Sequence, residues 1–321
     1  MRIEPSKSTA ALMISVSCVF LAGPVQAEPE PQQWLNQMGV AVRSTSYEGT
    51  VIRSQDGKTE ALKVVHTIKD GVILEKMVAQ EGNGLEIIRN GNEVHCILPD
   101  RKSVFVEEWN DQSTLFSTLP TSDIRFGSEY DVAAVRKERV AGREAIMLAI
   151  RPHDDYRYGH RIWLDTETSF PLKTQLISGG TAIEQVKFAD ISFNQDIHPS
   201  ALKTSYSTEN FTWLRRPSGH AGTSVETSWG SDDLPAGFRA ASIHEETMAG
   251  SDEIVTHILF SDGLANVSIF IVPNSGELVS GPSQVGGSNS YSIEHGDFEI
   301  TAIGEVPALT VKQIASTMRQ L

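Results

Sequence analysis

Short runs of alternating apolar and polar residues, separated by turn residues, occupy the chain from Tyr47 to Val106. Such alternation is typical of strands with one buried face, and Asp-Gly and Asn-Gly pairs favour the tight turns of sequential hairpins. The turn signals are Asp56-Gly57, Asp70-Gly71, Gly82 to Gly84, Asn90-Gly91 and Asp100-Arg101. The strands that they predict are Tyr47–Ser54, Thr59–Ile68, Val72–Ala79, Leu85–Arg89, Glu93–Leu98 and Ser103–Val106.

A second group of strands is predicted in the block from Arg139 to Ile177, on which the rest of the chain should pack, with one further strand after it. Its strands are expected at Glu144–Ile150, Arg161–Asp165, Leu172–Ile177 and Ala182–Phe193, and Trp163 should face away from Ile162 and Leu164. The two groups together predict an α+β fold whose first domain is one large curved antiparallel sheet, an open half-barrel.

Two segments carry helical spacing. Pro31 to Thr45 places Trp34, Leu35, Met38 and Val42 on one face of a short amphipathic helix. Glu107 to Asp131 spreads six large residues over helix-compatible spacers: Trp109, Leu115, Phe116, Leu119, Phe126 and Tyr130. This segment should lie on the concave face of the sheet, either as plain core or as the lining of an apolar pocket.

The composition changes after Phe193, where Ser, Thr, Pro and Gly become frequent. We therefore expect a first domain at 28–203, a linker at 204–227 and a smaller α+β domain at 228–321. Within the linker, Phe211, Trp213 and Leu214 are too apolar for a free tether.

The second domain should contain a hairpin, since Asp262-Gly263 separates the apolar runs Ile254–Phe260 and Leu264–Val272. Ser275–Asn289 is interpreted as a loop, and Tyr291–Ile293 with Phe298–Gly304 as another strand pair. A final helix is predicted over Val311–Met318, with Thr310 as its N-cap.

Met1 to Ala27 has the pattern of a cleaved secretory signal: a basic start, an apolar run and a small-residue cleavage site. A membrane anchor would need a longer apolar run, and the residues before Cys18 do not match a lipidation signal. The mature chain then keeps one cysteine, Cys96, which is interpreted as a small core residue. These features predict export to the periplasm.

The formal charge of −14 argues against nucleic acid or an anionic membrane as the main partner, although a local basic patch could still contact an anionic head group. The sequence has no nucleophile elbow, phosphate-binding loop or paired-cysteine motif, so no enzymatic activity and no cofactor are predicted. A turn with His153, Asp154, Asp155 and His160 is the best metal candidate, but a solvated turn is the preferred interpretation.

The stretch YGHRIWLDTETSFPLK, from Tyr158 to Lys173, resembles a hairpin of the RseB/MucB family of periplasmic negative regulators of an envelope-stress sigma factor. Trp229 and the motifs LPAGF, SDGLA, SIFI and GEVPALT resemble that family's second domain in order and spacing. The resemblance implies that the first domain is similar to periplasmic lipoprotein carriers, which would lack the second domain.

The resemblance also implies a function. The protein would bind the periplasmic segment of a membrane anti-sigma factor of the RseA/MucA type, protect it from proteolysis, and release it on sensing lipopolysaccharide or another acyl lipid. A lipid or lipoprotein carrier is the alternative, a metal-dependent hydrolase is a third hypothesis, and a homo-oligomer is compatible with the sequence.

The implied function assigns candidate residues to lipid binding, partner binding and coupling between the domains. Lipid binding is assigned to the aromatic residues of the first domain: Trp109, Phe116, Phe126 and Trp163. Partner binding is assigned to the domain that carriers lack, at Trp229, Phe238, Leu264 and Phe270, although Phe270 is expected to be core. Coupling between the domains is assigned to the apolar linker residues Phe211, Trp213 and Leu214.

Overall fold

A computed structural model describes residues 29–108, 115, 119, 128–193, 196–215, 223–224, 227–247, 254–276 and 280–321. The predicted signal peptide and the lipid candidates Trp109, Phe116 and Phe126 lie outside the described residues. The chain is mostly β structure in two domains, each built on its own large sheet. Within the described residues, neither helix is long and apolar enough to cross a membrane.

The first domain contains a 12-stranded sheet in the order β12-β6-β5-β4-β3-β2-β1-β11-β10-β9-β8-β7. Its strands are β1 (Tyr47–Gln55), β2 (Lys58–Lys69), β3 (Val72–Ala79), β4 (Glu86–Asn90), β5 (Glu93–Leu98), β6 (Ser103–Glu108), β7 (Tyr130–Val140), β8 (Arg143–Pro152), β9 (Gly159–Asp165), β10 (Pro171–Ser178), β11 (Thr181–Phe193) and β12 (Thr212–Arg215). Short 3₁₀ helices cover Pro99–Arg101 and Pro199–Leu202.

The predicted strands of both groups are confirmed, with ends that shift by no more than two residues. Asp56 and Asp70 adopt the positive φ that their Asp-Gly turns require. Strand β7 was not predicted from the sequence, because its residues Ala133–Lys137 are exposed and do not alternate. An edge strand has a partner on one side only, so its pattern carries little hydrophobic signal.

The sheet is not wholly antiparallel, which corrects the prediction, because β12 pairs in parallel with β6. The start of the predicted linker is also held on this sheet. The buried Lys76 ammonium lies 3.3 Å from the Glu86 carboxylate and donates to the Lys203 carbonyl at 2.7 Å. Glu86 in turn accepts hydrogen bonds from Thr204 and Ser205. The first part of the segment 204–227 is therefore bound to the first domain.

The sheet curls so strongly that β7 approaches β11, although three strands lie between them. Helix α1 (Pro31–Ser44) buries Trp34, Leu35 and Met38 against the face of the sheet that carries Val51 and Leu148. As predicted, Trp163 points to the opposite face from Ile162 and Leu164. All three are buried, so both faces are covered at β9.

The second domain contains a seven-stranded sheet in the order β13-β15-β16-β17-β20-β19-β18, and a two-stranded sheet of β14 and β21. Its elements are β13 (Thr223–Ser224), β14 (Trp229–Ser231), β15 (Arg239–Thr247), β16 (Ile254–Ser261), β17 (Asn266–Pro273), β18 (Gly281–Val285), β19 (Ser288–His295), β20 (Phe298–Gly304), α2 (Ala308–Thr317) and β21 (Met318–Gln320).

The predicted hairpin is confirmed as β16 and β17, joined through the turn at Asp262. Two predictions were wrong. The segment interpreted as a loop contains strand β18, and α2 begins at Ala308 after Pro307, so Thr310 lies inside the helix rather than at its N-cap. Thr310 instead donates a hydrogen bond to the Tyr156 carbonyl of the first domain, at 2.7 Å.

Candidate functional site at the domain interface

One row of side chains on the first sheet meets the second domain. Its members lie directly opposite one another across five adjacent strands, from β8 to β1: Ile150, His160, Leu176, Glu184 and Gln55. Residues that pair directly in an antiparallel sheet point to the same face, so these five side chains form one continuous row on that face. We call this set the docking row.

The tight turn between β18 and β19 sits on the docking row. The amide of Gly287 donates to a Glu184 carboxylate oxygen at 2.6 Å, and the amide of Gly286 donates to Asp56 at 3.0 Å. A Cβ added to Gly287 would lie 2.6 Å from Leu176, and Gly286 has a φ of +60°. Both glycines are therefore required for the backbone to approach the sheet this closely.

Arg157, in the loop between β8 and β9, reaches into the second domain. Its Nε donates to Asp262 Oδ2 at 2.5 Å, and its two other nitrogens donate to the Ala236 carbonyl and to Asp154. The guanidinium also lies 4.9 Å from the ring centroid of Phe238. Its side chain is 0% exposed and that of Asp262 is 1% exposed, so the ion pair is sealed between the domains.

Asp262 holds its own turn as well as the interface. Its Oδ1 accepts the amides of Leu264 and Ala265 at 2.9 and 2.7 Å, while Oδ2 also accepts the Tyr130 hydroxyl at 2.8 Å. Burial, together with the charge of Asp262, raises the pKa of Tyr130. Burial opposes the charged guanidinium, yet the bonds and charge of Asp262 outweigh it and raise the pKa of Arg157. Both groups therefore keep their protons and remain hydrogen-bond donors across the neutral range.

The residues on either side of Arg157 also bind the second domain. The Tyr156 carbonyl accepts from Thr310, and the Tyr158 hydroxyl accepts from Asn289 at 3.1 Å. Asn289 is buried and donates to the Val306 carbonyl as well, at 2.8 Å. Three consecutive loop residues thus connect the first domain to β19, α2 and the β16–β17 turn.

A cavity of about 230 Å³ remains between the docking row and the second domain, lined by His160, Tyr158, Leu264, Asn266 and Glu305, among others. Burial, together with the nearby charge of Glu184, raises the pKa of Glu305 to about 7, and Arg53 opposes the shift. Burial lowers the pKa of His160 to about 4, against the charge of Asp262. The cavity therefore favours the neutral form of both groups.

Two of the partner-binding candidates, Trp229 and Phe238, lie in the core of the second domain, while Leu264 packs with the core of the first domain. Trp229, Phe238 and Leu264 are buried, and Phe238 packs beneath Arg157 at the interface. Phe270 had been expected in the core, but it is half-buried, because Ile269 and Ile271 take the inward positions of β17. Its ring stacks on His257 with centroids 4.6 Å apart.

Trp163 is the one lipid candidate among the described residues. It is 2% exposed, its Nε1 donates to Glu138 at 2.8 Å, and the Lys173 ammonium lies 4.1 Å from its ring centroid. Its indole therefore already has partners within the sheet.

The coupling candidates lie on the first domain. Phe211 packs on the small cluster of Ile97, Val104 and Val106. Trp213 and Leu214 belong to β12 and are 50% and 44% exposed, with the Trp213 ring edge-on to His95. In the described ranges, their strand and ring contacts are all with the first domain.

The metal-candidate turn does not bring its four side chains together. His153 lies 3.0 Å from Asp131, Asp154 binds Arg157, and His160 belongs to the docking row. Among the described residues, no group of three or more His, Cys, Asp or Glu side chains is placed to hold a metal ion. Burial raises the pKa of the Cys96 thiol, which favours its unreactive protonated form.

Sequence reasoning named Phe238, Leu264 and His160 for other roles, but it did not identify Arg157 and Asp262 as interface residues. The loop around Arg157 was interpreted as a solvated turn, because its composition is polar throughout. The available signals were an arginine between two tyrosines in that loop and the Asp-Gly turn at Asp262, which lie far apart in the chain.

Comparison with known proteins covers both domains. Residues 30–206 match the MucB/RseB N-terminal domain, and residues 223–319 match the MucB/RseB C-terminal domain. The chain is 27% identical over 320 residues to the sigma factor AlgU regulatory protein MucB of Pseudomonas aeruginosa. This alignment covers 96% of this chain and 98% of the relative. The chain is 26% identical over 312 residues to the sigma-E factor regulatory protein RseB of Escherichia coli K12, covering 97% and 96%.

The solved complex of Pseudomonas aeruginosa MucA and MucB contains a chain of the same fold. It matches with a TM-score of 0.67 and 26% identity, over 90% of this chain and 98% of the solved one. Because both domain models match, in order and over most of the sequence, this chain belongs to the MucB/RseB family.

Proposed function

We propose that the protein is a periplasmic regulator that binds the periplasmic segment of a membrane anti-sigma factor. By shielding this segment from proteolysis, it would restrain the envelope-stress sigma factor. The family match over both domains carries the proposal, and a relative of the same fold has been solved in complex with MucA. Export through the signal pattern at 1–27 is part of the proposal. Both relatives are named as regulatory proteins, so no catalytic step is proposed.

The second domain is the proposed contact for the anti-sigma segment. Since Trp229 and Phe238 are buried in the core of the second domain, they would support this surface from below, and the half-buried Phe270 and its partner His257 would face the segment. Leu264 would contribute to the contact between the domains, because it packs with the core of the first domain. The interface around Arg157 would fix how this surface is presented relative to the first domain.

Removal of the second domain is expected to abolish capture of the anti-sigma segment. A chain that ends at Arg215 is the suitable truncation, because it keeps β12 on the edge of β6. Binding of a fluorescently labelled anti-sigma peptide and its survival with an added protease would both be measured. Full capture by the truncated chain would contradict the proposal and favour the lipid or lipoprotein carrier, for which the first domain should suffice.

Release by lipid is the second part of the proposal. An acyl lipid that binds the first domain can weaken peptide binding only if it prefers an arrangement that the peptide disfavours. This coupling is reciprocal, so a tenfold loss of peptide affinity implies a tenfold loss of lipid affinity, about 1.4 kcal/mol. The carrier-like character of the first domain is part of this proposal.

Replacing Trp213 with Ala is expected to reduce the coupling between lipid and peptide binding while leaving each separate affinity nearly unchanged. The reason is its position: Trp213 lies on β12, the last strand of the first sheet before the chain enters the second domain. The labelled peptide would be titrated with and without lipopolysaccharide fragments, on the wild type and on the variant. Arg157→Lys is the informative comparison, since it alters the domain interface instead of the connecting strand. Equal peptide affinity with and without saturating lipid would rule out the switch.

A further inference from the structure

Four cationic side chains lie on one face of the first sheet, on four adjacent strands: Arg151, Arg161, Lys173 and Lys187. The strand register places them there. Arg161 pairs with Ala149, two residues before Arg151, and Lys173 pairs with both Trp163 and Lys187. Arg151 and Arg161 are diagonal neighbours, as are Arg161 and Lys173, whereas Lys173 and Lys187 lie directly opposite each other. We call these four residues the basic track.

The described residues neutralise the basic track only in part: Asp131 lies directly opposite Arg151 in the pairing of β7 with β8, and Glu138 attracts Lys173. In the part of the chain that the structure describes, none of its four cations has a carboxylate within ion-pair distance. The nearby acidic groups have other partners. Glu138 accepts from Arg136 and Trp163, and Asp131 lies 3.0 Å from His153.

Like charges that face each other across a sheet are destabilising, and Lys173 and Lys187 are in that position. Burial lowers the pKa of Lys173, and the charges of Lys187, Arg136 and Arg161 lower it further against the attraction of Glu138. An anionic ligand would relieve this repulsion.

The basic track begins in a cavity of about 470 Å³ at the junction of the two domains. Arg151 and Arg161 line it, together with the turn Ser178–Gly180 and with Pro307 of the second domain. Asp155 also lines the cavity, and Arg157 is occupied by Asp154 and Asp262. From this cavity the track leads outward across β10 and β11.

The spacing of the cations indicates what they bind. The two diagonal steps, from Arg151 to Arg161 and from Arg161 to Lys173, span about 7–8 Å each, and Lys187 lies about 5 Å across from Lys173. Alternate side chains of an extended peptide lie about 6.4–6.8 Å apart on one side of the chain, which matches the diagonal steps. We propose that the basic track binds an extended acidic segment of a partner protein that carries carboxylates at alternate positions. A lipid headgroup presents its phosphates as a cluster, which fits a line of separate charges less well.

The charge of the rest of the protein supports this choice. Residues 228–321 carry 12 acidic side chains against 3 Lys and Arg, and the whole chain has a formal charge of −14. An acidic segment is therefore repelled by most of the surface and steered toward the basic track. The inference rests on the proposed function in taking the partner to be a protein segment.

The test uses the full mature chain and two peptides of equal composition. One peptide carries four Glu residues at alternate positions, and the other carries them consecutively. Fluorescence anisotropy should show tighter binding of the alternating peptide, weakened roughly three- to tenfold in the double variant Arg161→Gln, Lys187→Gln. Added salt should weaken the same interaction. The double variant Lys69→Gln, Lys312→Gln has the same net charge and should bind like the wild type, since both residues are exposed and outside the track.

Equal affinity for the two peptides, or equal loss in both double variants, would overturn the inference. Competition by anionic phospholipid vesicles, with no preference between the peptides, would also overturn it and assign the track to lipid. If a labelled anti-sigma segment binds with no dependence on Arg161 and Lys187, the inference fails and the proposed function stands. If the alternating peptide binds through the track but no anti-sigma segment does, the inference stands and the proposed function fails.

Discussion

Replacing Arg157 with Ala is expected to destabilise the docked arrangement of the two domains by about 3–5 kcal/mol, the usual cost of breaking a buried ion pair. Asp262 would keep its carboxylate at 1% exposure with no counter-charge, and the Ala236 carbonyl would lose its donor. The contact of the guanidinium with the Phe238 ring would also be lost.

Two measurements follow this loss. Chemical denaturation should show a lower free energy of unfolding, or a separate early transition for the second domain. Limited proteolysis should cut the segment 204–227 sooner than in the wild type, because undocking gives a protease access to the connection. First cuts within the predicted sheet, such as at Glu144–Ile150, would instead contradict the domain boundary that we expect.

Matched variants separate the buried ion pair from a general loss of charge. Arg215→Ala removes an exposed pair, with its side chain 57% and that of Glu93 43% exposed, so a change within about 1 kcal/mol is expected. Arg157→Lys keeps the charge but loses the planar fork, and should be intermediate. If Arg157→Ala and Arg215→Ala have the same effect, the interface does not depend on this arginine.

Opposing pH dependences are expected from Glu305 and His160, which line the same interface cavity. The pKa of Glu305 is raised from 4.5 to about 7 by burial and by Glu184, so the stability from its neutral form is complete below pH 4.5 and is lost as the pH rises through 7. The pKa of His160 is lowered from 6.5 to about 4 by burial, so the stability from its neutral form is complete above pH 6.5 and is lost as the pH falls through 4.

The two effects overlap between pH 4.5 and 6.5, where they act in opposite directions. Each contributes at most about 1.4 kcal/mol per pH unit, for a difference of one bound proton. In the wild type they should therefore nearly cancel. The Glu305→Gln variant should gain stability relative to the wild type as the pH rises through this window, and His160→Gln should lose it.

Urea denaturation of the wild type and the two variants at several pH values between 4.5 and 7.5 would test this prediction. Differences from the wild type at each pH remove the contribution of all other titrating groups. The double variant should return to a flat difference, because both slopes are then absent. If the free energy of unfolding of each single variant changes with pH in parallel with that of the wild type, the cavity does not shift the pKa of Glu305 or His160.

The sequence predicts local structure better than contacts between domains. Alternation and Asp-Gly turns locate β1 to β6 because both signals act within a few residues. The same reasoning failed for Thr310, whose side chain suits an N-cap although the helix already begins at Ala308, after Pro307. It failed for β12 as well, since four exposed residues carry no alternation that distinguishes a strand from a linker.

The domain interface could not be predicted from the sequence for a different reason. A polar loop can be hydrated, or it can place an arginine in another domain, and its composition is the same in both cases. The aromatic residues of the second domain were recognised as important, but their burial depends on which face of each strand turns inward. At β17 the alternation left Phe270 half-exposed, since Ile269 and Ile271 took the core positions.

The attachment of β12 to the first sheet has a consequence for how far the domains can separate. Strand β12 ends at Arg215 and β13 begins at Thr223, so seven residues, 216–222, connect the two sheets. Fully extended, this connection and its two ends span no more than about 29 Å. A second domain that leaves the docking row therefore stays at a high local concentration, of millimolar order for a short tether, and its return needs no second molecule. Separation of the two domains is therefore short-range, and under the proposed function a released anti-sigma segment must diffuse away before the domains dock again.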